Sequence, residues 1–229
     1  MKVLICTPAY GGILTANYFL SFLNMSQAAS EEGITMGSYV LKNYSDVAGA
    51  RNLCASTVLR DGWDYGFFID ADQVWQWEHA SALIRSERQL CGGTYPLKRL
   101  PIELNFLPLT KDEEQFRRGR TPAQLQKLVS AEGNEAGELQ VRALPGGFLL
   151  VSRGVFEELA KTSDTYTDRT TGEPQTCWEF FSAGKTAEGD RLTEDYNFCV
   201  KAAAAGYDIW LNTKAIVGHE GSYLFMARY

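Results

Sequence analysis

Only two histidines occur among the 229 residues, His79 and His219, so any imidazole chemistry must run through one of them. Five cysteines (Cys6, Cys54, Cys91, Cys177 and Cys199) form no Cys-x-x-Cys pair, which removes zinc-ribbon and thioredoxin-type motifs. Their odd number and wide spacing, with Cys6 and Cys91 in strand-like runs and Cys54 and Cys199 in helix-like ones, read as reduced, buried thiols. The expected compartment is therefore reducing: the cytoplasm, or a host's cytoplasm for a viral chain. Basic residues are outnumbered, 22 against 28 acidic, for a net charge of −6. That deficit speaks against a non-specific polyanion binder, which needs a basic face. It leaves one candidate basic patch around Lys98, Arg99, Arg117, Arg118 and Arg120. No apolar run approaches the length needed to span a bilayer, and the opening Met1-Lys2-Val3-Leu4-Ile5-Cys6-Thr7-Pro8 is too short for a signal-peptide core. No internal repeat or linker is evident, so residues 1–229 are expected to form one domain with a core of ordinary size.

What is present alternates. Residues 2–7 are a short apolar run closed by Pro8, the pattern of a buried parallel strand. Residues 14–29 carry helical apolar spacing, Gly33 ends them, and 34–41 read as a second strand. Asp46 is a plausible N-cap for a helix to residue 60, with Gly62 beyond it. Residues 65–69 form a third buried strand, 77–87 a helix and 89–95 an extended segment. This order predicts an α/β fold built on a mostly parallel sheet flanked by helices. The middle is less regular: 102–109 could form a strand, Thr121-Pro122 starts a helix to about residue 130, and 131–138 is an acidic loop. Residues 100–138 are thus a candidate insertion. Strands are expected at 139–143 and 148–152 around Pro145-Gly146-Gly147, then a short helix at 155–161. Residues 164–189 read as a polar loop carrying aromatics, followed by a helix from Glu194-Asp195 to Gly206 and a last extended segment at 208–217.

Asp70-Ala71-Asp72 follows the third strand directly. An Asp-x-Asp alone means little, but ligands in open α/β sheets bind beyond the carboxyl ends of the strands. Two carboxylates at i and i+2 there can face one hard cation that keeps positions open for substrate phosphate. The alternative is a turn-forming pair capping the next helix.

Seven segments, in order, resemble the GT-A nucleotide-diphospho-sugar glycosyltransferases, especially short stand-alone members from bacteria and bacteriophages. They are Cys6-Thr7-Pro8-Ala9-Tyr10-Gly11-Gly12, Ala50-Arg51-Asn52, Phe67-Phe68-Ile69-Asp70-Ala71-Asp72, Gly92-Gly93-Thr94-Tyr95-Pro96-Leu97-Lys98, Gly146-Gly147-Phe148-Leu149-Leu150, Leu192-Thr193-Glu194-Asp195-Tyr196-Asn197-Phe198-Cys199 and Gly218-His219-Glu220-Gly221-Ser222. Residues 100–138 and 162–190 lie outside the likeness.

The resemblance implies a GT-A, Rossmann-like fold and a set of roles. Thr7, Pro8, Ala9 and Tyr10 would meet the nucleobase and ribose, although Thr7 and Pro8 could simply end a strand. Arg51 would face the nucleotide, with a solvated surface arginine as the competing reading. Asp70 and Ala71 would lie against the nucleotide, and Asp72 with His219 would hold Mn²⁺ or Mg²⁺. Gly146 and Gly147 would let the backbone approach donor or acceptor, or mark a strand bend. Asp195 would be the general base of an inverting transfer with Glu194 beside it, retention without a dedicated base staying open, where the plain alternative is an acidic pair at a helix start. His79 reads as structural. Trp178, Phe180 and Phe181 could stack on an acceptor or pin a lid.

The implied donor is a nucleotide-diphospho-sugar, UDP- or GDP-linked in preference. The implied acceptor is a glycan or another hydroxyl compound, a modified nucleic-acid base being less favoured. Two competitors stay open. A nucleotidyltransferase would want basic residues in its first loop, and Pro8-Ala9-Tyr10-Gly11-Gly12 has none. A catalytically silent nucleotide-sugar-binding module would have no need of Asp72, Glu194, Asp195 and His219.

Overall fold

The computed structural model describes residues 1–109, 120–186 and 188–227. The first half alternates strand and helix: β1 (Lys2–Ala9), α1 (Ala16–Glu31), β2 (Thr35–Lys42), α2 (Val47–Arg60), β3 (Tyr65–Ile69), β4 (Gln73–Val74), α3 (Trp77–Ile84) and β5 (Leu90–Thr94). The second half contains β6 (Leu107–Pro108), α4 (Pro122–Glu132), β7 (Glu138–Ala143), β8 (Phe148–Ser152) and α5 (Arg153–Leu159). Two hairpins follow, β9 (Thr165–Asp168) with β10 (Gln175–Trp178) and β11 (Gly184–Lys185) with β12 (Arg191–Leu192). The chain closes with α6 (Glu194–Ala204), β13 (Ile209–Ile216), β14 (Gly218–Glu220) and β15 (Leu224–Phe225).

Eight strands make the central sheet, in the order β2-β1-β3-β8-β5-β13-β7-β6. β1 lies parallel to β2 and β3, and β13 parallel to β5. β8 runs antiparallel between β3 and β5, and β7 antiparallel between β13 and β6. Only β8 and β7 therefore oppose the common direction. Alternation along each strand feeds two cores. In β3, Phe68 joins the face covered by α2, α5 and α6, while Phe67 and Ile69 join the face covered by α1 and α3. The result is the mixed, mostly parallel, Rossmann-like α/β sheet expected from the alternation.

Local chemistry sets the ends. Thr15 caps α1 by accepting from Tyr18 N, and Asp46 caps α2 by accepting from Ala48 N and Gly49 N. α3 stops at Ile84, short of the expected residue 87, because the following turn takes Glu87 to φ 55°. β1 continues through Pro8 to Ala9, where 2–7 was expected. Its pairing with β3 ends at Cys6, so the missing proline N–H faces no ladder on that side.

The middle differs more. The strand expected at 102–109 shrinks to Leu107–Pro108, an edge position that tolerates proline, plus a bridge between Pro96 and Leu104. Thr121 caps α4 with a capping box from Gln124. Leu104, Phe106 and Leu125 are buried in the main core, so the described part of residues 100–138 is packed into the domain. Arg117 and Arg118 of the expected basic patch lie outside the described residues. The patch does not form from the others: Lys98 pairs with Asp72, Arg99 with Glu103, and Arg120 donates to the Phe106 carbonyl.

The polar stretch 164–189, read as a loop, holds the β9–β10 hairpin and β11, the first strand of the second hairpin, instead. Phe180 and Phe181 are buried at 0% and 1%, so their rings pack in the core and the expected stacking on an acceptor is corrected, although residue 181 borders the cleft described below. Phe181 stacks on Phe198 with centroids 4.4 Å apart and tilts against Phe68, while Phe180 meets Phe156. Asn52 fixes this segment by accepting from Phe181 N and donating to Phe181 O. Trp178 stays half-buried, stacked on Phe180.

Phe181→Ala is expected to cost about 3–5 kcal/mol and to lower Tm by about 10 °C. Trp178→Ala should cost clearly less. Thermal unfolding of both variants checks this, and equal losses would contradict the burial described.

Candidate functional site

The carboxyl ends of β1, β3, β5 and β13 and the N-termini of α2 and α6 meet on one edge of the sheet, and the residues singled out above collect there. Their centre is Arg51. It lies in the stretch of α2 from Gly49 to Val58 that is buried throughout, and it is itself 3% exposed. A guanidinium there must find carboxylates. Its Nη2 donates to Asp70 Oδ1 at 2.8 Å, and its Nη1 donates to Glu194 Oε1. The reading of Arg51 as a solvated surface residue is thereby excluded. Burial works against its charge, but Asp70, Asp195 and Glu194 outweigh that and lift its pKa above the ordinary value. One cation does not balance three carboxylates. Burial therefore raises the Glu194 pKa against the pull of Arg51, and the Asp195 charge adds to the rise.

Asp195 is held by other donors. Gly146 N donates to Oδ2 at 3.0 Å, and Tyr196 N donates to Oδ1 at 2.8 Å. Thr193 Oγ1 also donates to Oδ1. The carboxylate is fixed at the start of α6, where the helix dipole favours it.

Gly146 and Gly147 are required by this cluster itself. A Cβ on Gly146 would stand 2.6 Å from Arg51 Cζ, and one on Gly147 would stand 2.6 Å from both Asp70 Oδ2 and the Tyr95 hydroxyl. Tyr95, part of a resemblance segment but given no role there, accepts from Gly147 N at 3.2 Å. At the end of β1, Thr7 is fully buried with its hydroxyl 2.5 Å from that of Tyr18. Ala9 is buried too, so neither side chain is open to a nucleotide. Pro8 is half-buried and Tyr10 is 78% exposed, which leaves these two and the backbone as the accessible part of that segment.

A second group sits outside the first. The short antiparallel pairing of β4 with β14 sets His219 opposite Gln73, and Glu220 N donates to Asp72 O at 2.8 Å. This hairpin-like contact brings Asp72 and His219 together from distant parts of the chain. His219 Nε2 lies 3.5 Å from Asp72 Oδ1, while His219 Nδ1 lies 2.9 Å from the Pro96 carbonyl. A carbonyl only accepts, so the neutral ring carries its proton on Nδ1 and turns the Nε2 lone pair toward Asp72. Lys98 Nζ, also missed as a site residue, binds the other oxygen, Asp72 Oδ2, at 2.5 Å. Burial pushes the Asp72 pKa up, but the hydrogen bond and charge that a doubly protonated His219 ring supplies, together with Lys98, overcome it and hold the carboxyl below its usual range. Ala71 serves through its backbone, its carbonyl accepting from Thr15 N. His79 accepts from Gln76 N in the α3 capping box, the structural role expected of it.

Two lone-pair donors 3.5 Å apart suit a shared cation, since neighbouring ligands of an octahedral ion at about 2.1 Å lie roughly 3 Å apart. Among the described residues no group of three or more His, Cys, Asp or Glu is arranged to hold a metal. Asp72 and His219 would supply two ligands, leaving substrate and water to complete the shell, as is usual for Mg²⁺-like ions. Gln73, across from His219, is fully buried, and its amide N and O have no partner among the described residues. Beside the inner cluster, a cleft of about 450 Å³ is lined by Tyr44, Asp46, Tyr166, Glu179, Arg191 and Glu194, among others.

The structure of A197 from STIV matches over 100% of this chain and 95% of that one, with a TM-score of 0.56 at 15% identity. This similarity carries the fold alone. A protein assigned as a glucose-1-phosphate thymidylyltransferase from Bacillus anthracis, in complex with sucrose, matches over 71% of this chain and 75% of its own at a TM-score of 0.32 and 11% identity, too weak to carry argument. No protein-family model and no curated protein matches the chain.

Arg51→Met would leave two carboxylates facing each other without a cation, and is expected to cost about 3–5 kcal/mol at neutral pH. Losing the guanidinium raises the Glu194 pKa further in the folded state. The deficit should therefore shrink between neutral and mildly acidic pH as Glu194 takes a proton. Urea unfolding at both pH values checks the sign; a pH-independent deficit would contradict it.

Proposed function

We propose that this chain is a divalent-cation-dependent glycosyltransferase of the GT-A kind, moving a sugar from a nucleotide-diphospho-sugar to a hydroxyl acceptor. The observation that carries the reading is the convergence, on one sheet edge, of the Asp72–His219 pair with the Arg51-centred carboxylates that include Asp195. Asp72 and His219 would hold Mn²⁺ or Mg²⁺, whose charge stabilises a departing nucleoside diphosphate. The unpartnered Gln73 amide beside them fits a site completed by a ligand.

Asp70, Arg51 and the two glycines form the floor on which the donor would lie, with Pro8 and Tyr10 at the nucleoside end. Asp195, oriented by Gly146 N, Tyr196 N and Thr193, takes the proton from the attacking hydroxyl. A base on the face opposite the leaving group gives inversion. Glu194 keeps Arg51 in place and borders the cleft proposed for the acceptor. Three carboxylates against one arginine in that lining disfavour a polyanionic acceptor such as nucleic acid, and the tyrosines suit a sugar ring. The five free, buried cysteines fit a reducing compartment such as the cytoplasm. Among the described residues no helix is long and apolar enough to cross a membrane.

A screen of nucleoside-diphosphate sugars by thermal shift, with and without Mn²⁺, tests this reading. At least one UDP- or GDP-sugar at about 100 times its Kd should raise Tm by about 5–10 °C with metal, and much less without it. Asp195→Asn should keep that gain while losing transfer by about 10³-fold. A gain that ignores metal, or none with any donor, would count against the proposal.

A further inference from the structure

Asp72 is the one carboxylate of this edge that meets two different cationic or ligating groups, one on each oxygen. Lys98 Nζ sits 2.5 Å from Oδ2, and His219 Nε2 faces Oδ1. Lys98 comes from the segment after β5 and passes over Gly221, where a Cβ would stand 3.1 Å from Lys98 Cδ. The absence of a side chain at 221 gives the lysine stem its path. Both partners are about one-third exposed, 35% for Lys98 and 32% for Asp72, so the ion pair is weak and exchangeable.

Other cations nearby are committed. Arg51 is buried between Asp70 and Glu194, Arg99 pairs with Glu103, and the first loop, Pro8-Ala9-Tyr10-Gly11-Gly12, carries no Lys or Arg. A doubly charged ion shared by Asp72 and His219 would repel an ammonium on the same carboxylate. A lysine on a flexible stem can move, and phosphate oxygens are its usual partners.

We propose that Lys98 is a displaceable counter-ion: it occupies Asp72 while no metal is bound, yields it to the cation, and then binds the diphosphate of the donor. The inference rests on the metal-dependent reading above and extends it to a residue that reading does not use. It makes metal and nucleotide binding mutually reinforcing. The cation alone binds poorly because it must displace Lys98, and the released ammonium improves the grip on the diphosphate.

Lys98→Met should therefore shift two affinities in opposite directions, which a general structural defect would not do. Followed by the EPR signal of free Mn²⁺, the variant is expected to bind Mn²⁺ alone about threefold more tightly than the unaltered protein. It should bind the Mn²⁺ complex of UDP or GDP about tenfold more weakly. Lys98→Arg should stay near the unaltered protein in both measurements. If the unaltered protein binds Mn²⁺ and Lys98→Met binds it equally or less well, the role of Lys98 is overturned and the metal site stands. If neither protein binds Mn²⁺, with or without nucleotide, both proposals fall together.

Discussion

A guanidinium at 3% exposure has to be surrounded by compensating charge, and the edge of this sheet is organised around that requirement. Arg51 projects from the buried stretch of α2 and grips the residue that follows β3 and the residue that begins α6. Two elements far apart in sequence are thereby fixed against each other. Gly146 and Gly147 follow from the same constraint, since any side chain would collide with Arg51, Asp70 or Tyr95. Burial, with the neighbouring Asp195 charge, raises the Glu194 pKa, while backbone donors fix Asp195 beside it.

The outer group depends on a smaller device, the pairing of β4 with β14. It positions Asp72 against His219, and the Pro96 carbonyl orients the ring so that Nε2 turns inward. The inner cluster is buried, with both terminal nitrogens of its arginine engaged by carboxylates. The outer pair is half-exposed and has room for exchange. That contrast suits a floor that holds its shape beneath a site where an ion and a diphosphate come and go.

Much of the fold is legible in the residues because the strongest strands are unbroken apolar runs with sharp ends. β3 and β8 match the residues expected of them, one closed by Asp70 and the other opened by Gly147. The hairpin of Thr165–Asp168 with Gln175–Trp178 was hidden because its turn-rich surroundings outweigh four-residue patterns of threonine and single aromatics. The aromatics at 180 and 181 face inward because Phe68, Phe156 and Phe198 surround them, a tertiary fact with no local signal. Arg51 carried one usable clue, an arginine within a stretch of small and apolar residues too uniform to present a solvated face. Lys98 stood in a basic patch and at the end of one resemblance segment but was given no role, because its partner stands 26 residues earlier in the chain. The meeting of Asp72 and His219 was expected from a family resemblance; no spacing rule reaches across that separation.

The account turns on whether one cation can sit between Asp72 and His219 while a diphosphate occupies the open side. Crystals grown with Mn²⁺ and a nucleoside diphosphate, measured at the manganese edge, test it most directly. The predicted result is a single anomalous peak within about 2.3 Å of an Asp72 oxygen and of His219 Nε2, with phosphate oxygens as further ligands. A peak elsewhere, or a nucleotide bound with Asp72 and His219 left as they stand and no manganese between them, would contradict it.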